Sequence, residues 1–233
     1  MDKKRFKSDD MQNRISSAFS GTIPVLELLP VIKSLQQKRP LFHSEADFQF
    51  ALAWEIQLFY PAAEVRLEVC PASEPTMHLD ILVRLNAINY PIGLKYKTAR
   101  LQYSIGGDFY HLKGHGAEDI GKYDCLADIQ RIEQCRENLE SFGRGYTVWL
   151  TNDPSYWATP RKGTMAEAFA LHENAVKTGS IAWAPHTGEG TMKHRETPIC
   201  LSAPYRIHWE TYSAISDVRG GMFRYALLPI EPR

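Results

Sequence analysis

Asp80 and Lys95 are the residues whose types and setting point first to chemistry. Asp80 lies in His78-Leu79-Asp80-Ile81-Leu82-Val83-Arg84, and Lys95 in Tyr90-Pro91-Ile92-Gly93-Leu94-Lys95-Tyr96-Lys97. Both runs alternate apolar and polar residues, the pattern of a half-buried strand, and Asn86 to Asn89 between them is turn material. Residues two apart on a strand share a face. Asp80 therefore goes with His78, Leu82 and Arg84, while Gly93, Lys95 and Lys97 share one face of the second strand. Paired as a hairpin, the strands bring a carboxylate and an ammonium side by side. Such a pair suits a hard cation and the phosphate that cation binds.

Other elements must hold that pair in place. Ser44 to Tyr60 is the clearest helix: Ser44 is the N-cap, Asp47 stands at the third position, and Pro61 stops it. Glu45, Phe48, Leu52, Ile56 and Phe59 fall along one stripe, with Gln49 one turn beyond Glu45. On its own, an acid there is most simply a solvated first-turn residue favoured by the helix dipole. Glu64 to Cys70 reads as a first strand. Thr98 to Glu118, with Gly106, Gly107, Gly114 and Gly116, is expected to be a long flexible loop. Its His111 and His115 lack the helix and further ligands that a metal reading needs. Asp119 to Glu140 is a second helix with Leu126, Ile129, Ile132 and Leu139 on its apolar side. Its polar side, with Asp128, Gln130, Arg131, Glu133 and Gln134, is expected to be mostly solvated. Tyr146 to Thr151 reads as a fully buried strand.

Asp80 followed, about a dozen residues later, by Gly93-Leu94-Lys95 resembles the signature of the PD-(D/E)xK phosphodiesterases, the restriction-endonuclease-like nucleases. That family places Glu or Asp where this chain has Gly93. The resemblance covers Phe42 to Asn152 and includes the order α-β-β-β-α-β. It implies an α/β fold: a restriction-endonuclease-like αβββαβ core, its mixed sheet flanked by helices, with an α+β C-terminal extension. The expected divisions are an N-terminal helical segment (1–41), the nuclease-like core (42–152) and an extension packed on it (153–233). The resemblance also reverses the plain reading of Glu45, because many such nucleases carry a Glu on the helix before the sheet.

By the same resemblance Glu45, Asp80 and Lys95 are catalytic, and Gly93 marks the missing acid. Mg²⁺, or Mn²⁺ in its place, is held by Asp80, the backbone carbonyl of Leu94 and Glu45. Lys97, Gln49 and Arg131 are expected nucleic-acid contacts, with Arg131 and Gln130 read from the polar helix face as candidates for phosphate or site-ordering contacts. Three explanations of Gly93 stay open: a degenerate site, a carboxylate supplied from elsewhere, or a Glu-to-Gly change that silences a toxic nuclease. The last needs a single base change and is the favoured expectation.

The implied function is metal-dependent phosphodiester hydrolysis, most simply by a DNA endonuclease of prokaryotic defence or DNA processing, silenced by Gly93. The alternative is an inactive nuclease fold that binds nucleic acid or a protein partner, and a third reading makes Asp80 and Lys95 a structural ion pair. In the 233 residues, Lys plus Arg balance Asp plus Glu at 27 each, which argues against coating nucleic acid by bulk charge. The four cysteines form no CxxC pair, so reduced thiols are expected. No apolar run is long enough to span a membrane and no signal-peptide pattern follows the basic start, so the expected location is cytoplasmic. A homo-oligomer is left open. Ile15 to Gln37 is expected to form helical segments broken at Gly21, Pro24 and Pro30. The C-terminal third should hold a helix at Thr164 to Glu173 and strands at Ser180 to Ala184, Ile199 to Leu201, Tyr205 to Tyr212 and Phe223 to Ile230. Its dense aromatics suit either a core or base stacking.

Overall fold

The structure is a computed structural model that describes residues 25–71 and 73–232. A six-stranded mixed sheet, with helices on both faces, organises it. The order along the chain begins α1 (Leu28–Lys38), α2 (Glu45–Phe59), β1 (Glu64–Val69), β2 (Leu79–Leu85), β3 (Ile88–Lys97). It continues through β4 (Leu101–Ile105), β5 (Asp108–Leu112), α3 (Glu118–Asn138) and β6 (Gly145–Thr151). The last third holds β7 (Val176–Ile181), the short α4 (Glu189–Met192), β8 (Ile199–Arg206), β9 (Glu210–Ala214) and β10 (Met222–Ile230). Across the sheet the order is β1-β2-β3-β6-β10-β9. Only β3 and β6 run parallel; the other neighbours are antiparallel.

Local chemistry explains the elements that matter here. Ser44 Oγ accepts the Asp47 N–H at 3.1 Å, and Asp47 Oδ2 accepts the His43 N–H at 2.9 Å. Two donors at the start of α2 are thus satisfied. Phe48, Leu52 and Ile56 bury the inner face of α2, each contributing roughly 1.5–3 kcal/mol. Phe59, expected on that stripe, is partly exposed, because the helix ends there. Pro30 does not break α1. It occupies the first turn, where no intrahelical N–H is needed. The expected segment at residues 15–24 lies outside the described residues. β2 turns into β3 through Asn86 and Ala87, both left-handed (φ 53° and 62°), the backbone of a tight two-residue hairpin.

Two apolar layers flank the sheet. α1 and α2 pack with Ile81, Val83, Ile92, Leu94 and Tyr96 on one side. α3 packs with Leu82, Trp149 and the β7–β8 ribbon on the other. Leu79 departs from the expected alternation and joins the α3 side. α3 lies unusually close to β6: a Cβ at Gly145 would sit 2.2 Å from Ile132 Cγ2. That approach sets how far α3 side chains reach across the sheet.

Several expectations are corrected. Thr98 to Glu118 is not mainly loop: β4 and β5 form a hairpin, turned by Gly106 and Gly107 with φ 63° and 94°. The glycines read as flexibility are a tight turn. Thr164 to Glu173 is not a helix and holds only a 3₁₀ turn at Glu167–Phe169. The strand placed at Ser180 to Ala184 begins earlier, at Val176, and Tyr205 to Tyr212 is divided between β8 and β9. The C-terminal strands β9 and β10 complete the main sheet, with β10 paired along β6. No helix among the described residues is long and apolar enough to cross a membrane.

Candidate functional site

β2 and β3 pair only as far as Ile81 opposite Ile92. Beyond that point β3 continues beside β6 alone, up to Lys97 opposite Thr151. Backbone groups of alternate residues point the same way, so Leu94 and Tyr96 present theirs to the notch that β2 has left. Two carboxylates fill it. Asp80 Oδ2 accepts the Leu94 N–H at 2.6 Å, and Glu45 Oε2 accepts the Tyr96 N–H at 2.6 Å. A helix and a strand thus each deliver an acid to the open edge of one strand. Charge-assisted bonds of this kind are stronger than the ladder bonds they replace.

Lys95 stands between these acids and α3. Its Nζ donates to the Leu94 carbonyl at 2.9 Å and lies 2.7 Å from Asp128 Oδ2. Burial pushes the ammonium towards neutrality, but Asp128, Asp80 and Glu45 outweigh it and hold its pKa above the ordinary lysine value. Lys95 is therefore a fixed cation near neutral pH, suited to neutralising an anion and not to taking a proton. Arg131 pairs with Asp128 Oδ1 and lies 3.9 Å from Asp80 Oδ2. Asp80, Lys95, Asp128 and Arg131 form one network of alternating sign.

Asp128 is the residue missed from the sequence. Its side chain is only 4% exposed, where a solvated helix face was expected. Burial pushes its carboxyl up to about 6, against Lys95 and Arg131, which pull it down. Oδ2 is fully buried and has no aligned hydrogen bond, although the Lys95 ammonium is at ion-pair distance. A signal was present: Gly121, Cys125, Asp128, Ile132 and Cys135 follow helical spacing, and all are buried. Gln130 and Glu133 also turn inward: Gln130 accepts the Cys200 N–H, and Glu133 accepts from Ser202 and Tyr205.

Gly93 opens directly onto Asp128. A Cβ there would meet Asp128 Cβ at 3.6 Å and Cγ at 3.8 Å, ordinary contact distances. Its φ is not left-handed, so neither backbone nor space demands glycine. The region that a longer side chain at 93 would enter already holds the Asp128 carboxylate.

Of the expected nucleic-acid contacts, Gln49 and Arg131 are engaged inside the protein. Gln49 Nε2 donates to the Asp80 carbonyl at 2.7 Å and to Glu68 Oε1 at 2.6 Å. Glu68 itself is left-handed within β1 (φ 53°), a costly backbone state for Glu that turns a further acid towards this corner. Lys97 lines a cavity with Glu45, Thr98, His111 and His115. His115 Nδ1 accepts the Thr98 N–H at 2.9 Å. The aromatic reading resolves towards packing: Tyr156, Trp183, Tyr205, Trp209, Tyr212, Phe223 and Tyr225 are all buried, so they cannot stack on bases.

Among the described residues, no group of three or more His, Cys, Asp or Glu side chains is arranged to hold a metal ion. The notch oxygens are of the type that hard cations take. They belong to two carboxylates and the Leu94 carbonyl, and Mg²⁺ usually keeps several waters beside one or two carboxylates. Models of known protein families and curated proteins return no match to this sequence.

Proposed function

We propose that the protein is a metal-dependent phosphodiesterase, a nuclease on a restriction-endonuclease-like αβββαβ core, in which Asp128 takes over from the acid missing at Gly93. The observation that carries this reading is the notch itself. Glu45 and Asp80, from separate elements, cap the Tyr96 and Leu94 N–H groups of one strand, with the Lys95 ammonium held beside them. A merely structural sheet edge has no need of two acids and a buried cation. The position of Asp128 favours a carboxylate supplied from elsewhere over a Glu-to-Gly change as the account of Gly93.

Asp80 and the Leu94 carbonyl would hold Mg²⁺, or Mn²⁺ in its place, with Glu45 joining directly or through water. When bound, the ion supplies Lewis-acid polarisation and an activated water. Lys95 meets the negative charge that builds on the phosphoryl oxygens as the water oxygen bonds to phosphorus and the ester oxygen leaves. Asp128 keeps Lys95 charged and aimed, and Arg131 restrains Asp128. DNA is the first substrate to try. The second reading, an inactive nuclease fold that binds nucleic acid or a protein, draws on the close Lys95–Asp128 pairing, which already satisfies the ammonium. The deciding experiment incubates the protein with Mg²⁺ or Mn²⁺ and plasmid DNA, single-stranded DNA or RNA. Cleavage that EDTA, Asp80→Ala and Lys95→Ala each abolish supports the nuclease. No cleavage of any substrate with either ion rejects it.

A further inference from the structure

The cations of the protein are not all paired. Lys33, Lys38, Arg39, Arg144 and Arg195 each pair with an acid. Lys97, Arg100, Lys113 and Arg219 take part in none of the salt bridges among the described residues. These four line two adjoining cavities, which together make up a groove. A cavity of about 580 Å³ is lined by Arg100, Gln102, His111, Lys113 and Arg219, with no acid in its wall. It shares His111, Leu112 and Lys113 with the cavity that contains Glu45 and Lys97. Arg100 and Arg219 also line a third cavity, with Asn152 and Asp153.

The walls are fixed by internal bonds. Thr98 Oγ1 donates to the Lys113 carbonyl at 2.7 Å, and the His115 N–H donates to the Thr98 carbonyl at 2.7 Å. Buried Asn152 accepts the Ala99 N–H at 2.8 Å and donates to the Gly220 carbonyl at 2.7 Å. Arg100 and Arg219 therefore stand on adjoining segments tied to one side chain. Unpaired cations on braced walls, with no acid lining the cavity at Arg100, suit a polyanion. The hairpin adds a second signal. Its register places Gln102 opposite His111 and Ser104 opposite Phe109, on the face away from buried Leu101, Tyr110 and Leu112. Phe109 is 60% exposed on that face, 6.5 Å from the His111 ring. Phe109 lines neither cavity, but its ring neighbours that of His111, which lines both, and an exposed aromatic near cations can take an unpaired base.

We propose that this groove is the track for a single nucleic-acid strand, with backbone phosphates at Arg219, Arg100, Lys113 and Lys97 and a base stacked on Phe109, running towards Glu45. The proposal rests on the nuclease reading for its direction, but its test does not. Binding is measured by fluorescence anisotropy in EDTA, where no cleavage can occur, with a labelled single-stranded DNA and the matching duplex. The single strand should bind tighter than the duplex. Arg100→Ala with Arg219→Ala should weaken single-strand binding at least tenfold and reduce the slope of log Kd against log salt by about 1.4. Phe109→Ala should weaken the single strand by about fivefold or more and the duplex little. Arg66→Ala, on exposed β1, is the control and should change nothing. Equal or tighter duplex binding, or an unchanged Kd in either groove variant, overturns the track. Cleavage that survives such a result leaves the nuclease reading intact, and a groove that binds without cleavage rejects only the nuclease.

Discussion

α3 carries two buried carboxylates five residues apart, Asp128 and Glu133, and they are satisfied in opposite ways. Glu133 meets largely neutral donors. Its oxygens accept from the Ser202 N–H at 2.9 Å, the Ser202 hydroxyl at 2.6 Å and the Tyr205 hydroxyl at 2.7 Å, with Arg136 at 3.8 Å. These bonds fasten α3 to β8. Asp128 meets only cations, Lys95 and Arg131, and leaves Oδ2 without an aligned hydrogen bond. One acid is bonded as a fastener is. The other is held in an electrostatic balance that a charged ligand can tip. A buried carboxylate costs several kcal/mol to desolvate, so each needs a reason to be there. For Glu133 the reason is its hydrogen bonds; for Asp128 it is the Lys95 and Arg131 cations.

Separating stability from activity sharpens that contrast, and the largest effect is expected at the notch. Lys95→Ala and Asp128→Asn should each lower the rate of DNA cleavage by about a thousandfold. Circular dichroism should show the fold retained. A variant that instead melts early while cleaving normally makes Lys95–Asp128 a structural pair and erases the distinction from Glu133.

Glu133→Ala should behave in the opposite sense. It strands the Ser202 and Tyr205 donors and should cost about 3 kcal/mol of unfolding free energy in urea titration. Cleavage per folded molecule should be nearly unchanged. A loss of activity beyond the loss of folded protein would join both acids to one function.

Position 93 offers a smaller effect, of about tenfold. Gly93→Glu alone adds a second carboxylate on a side chain whose Cβ would contact Asp128, and like charges brought together there repel, so cleavage should fall. Adding Asp128→Ala to Gly93→Glu moves the acid from helix to strand and should recover about tenfold over Asp128→Ala alone. If Gly93→Glu by itself raises cleavage, Gly93 is a silencing change, and Asp128 does not substitute for the missing acid.

The contrast between the two acids also shows what could be read from the chain. Ser44 and Pro61 bound α2 because capping and proline act locally. The unbroken apolar run at β6 is legible for the same reason: a central strand is buried on both faces. Glu45 and Asp80 could be placed on a helix and a strand. Their meeting at Tyr96 and Leu94 depends on where β2 parts from β3, which local pattern does not encode. Asp128 and Glu133 look like surface residues in the sequence because acids on helices usually are. What buries them is β3 and β8, whose residues lie far along the chain. The hairpin at Gly106-Gly107 is hard to read because glycine marks a flexible loop and a tight turn alike, and only the flanking alternation tells them apart. The aromatics of the last third were ambiguous in type and were decided by burial against α3 and the sheet.

A third buried charge tests whether the rule drawn from the two acids extends to cations. Lys177, on β7, has one partner, the Ala168 carbonyl at 2.7 Å, and no acid. Burial alone pulls its pKa down to about 8. The folded value lies below the unfolded one, so between about pH 8 and 10.5 the unfolded chain binds more protons and stability rises with pH. Below that window the full penalty is present. Lys177→Met removes the penalty but also loses the bond to Ala168. After discounting for that bond and for nearby solvent, the net gain at pH 7 should be about 1 kcal/mol. Thermal melts of the variant and the parent should then converge as pH climbs from 8 towards 10.5. A gain that persists unchanged at high pH would mean that Met stabilises by packing alone, and that one carbonyl suffices to satisfy a buried ammonium. The rule that unbalanced buried charge marks something other than fastening would then hold for Asp128 but not for cations.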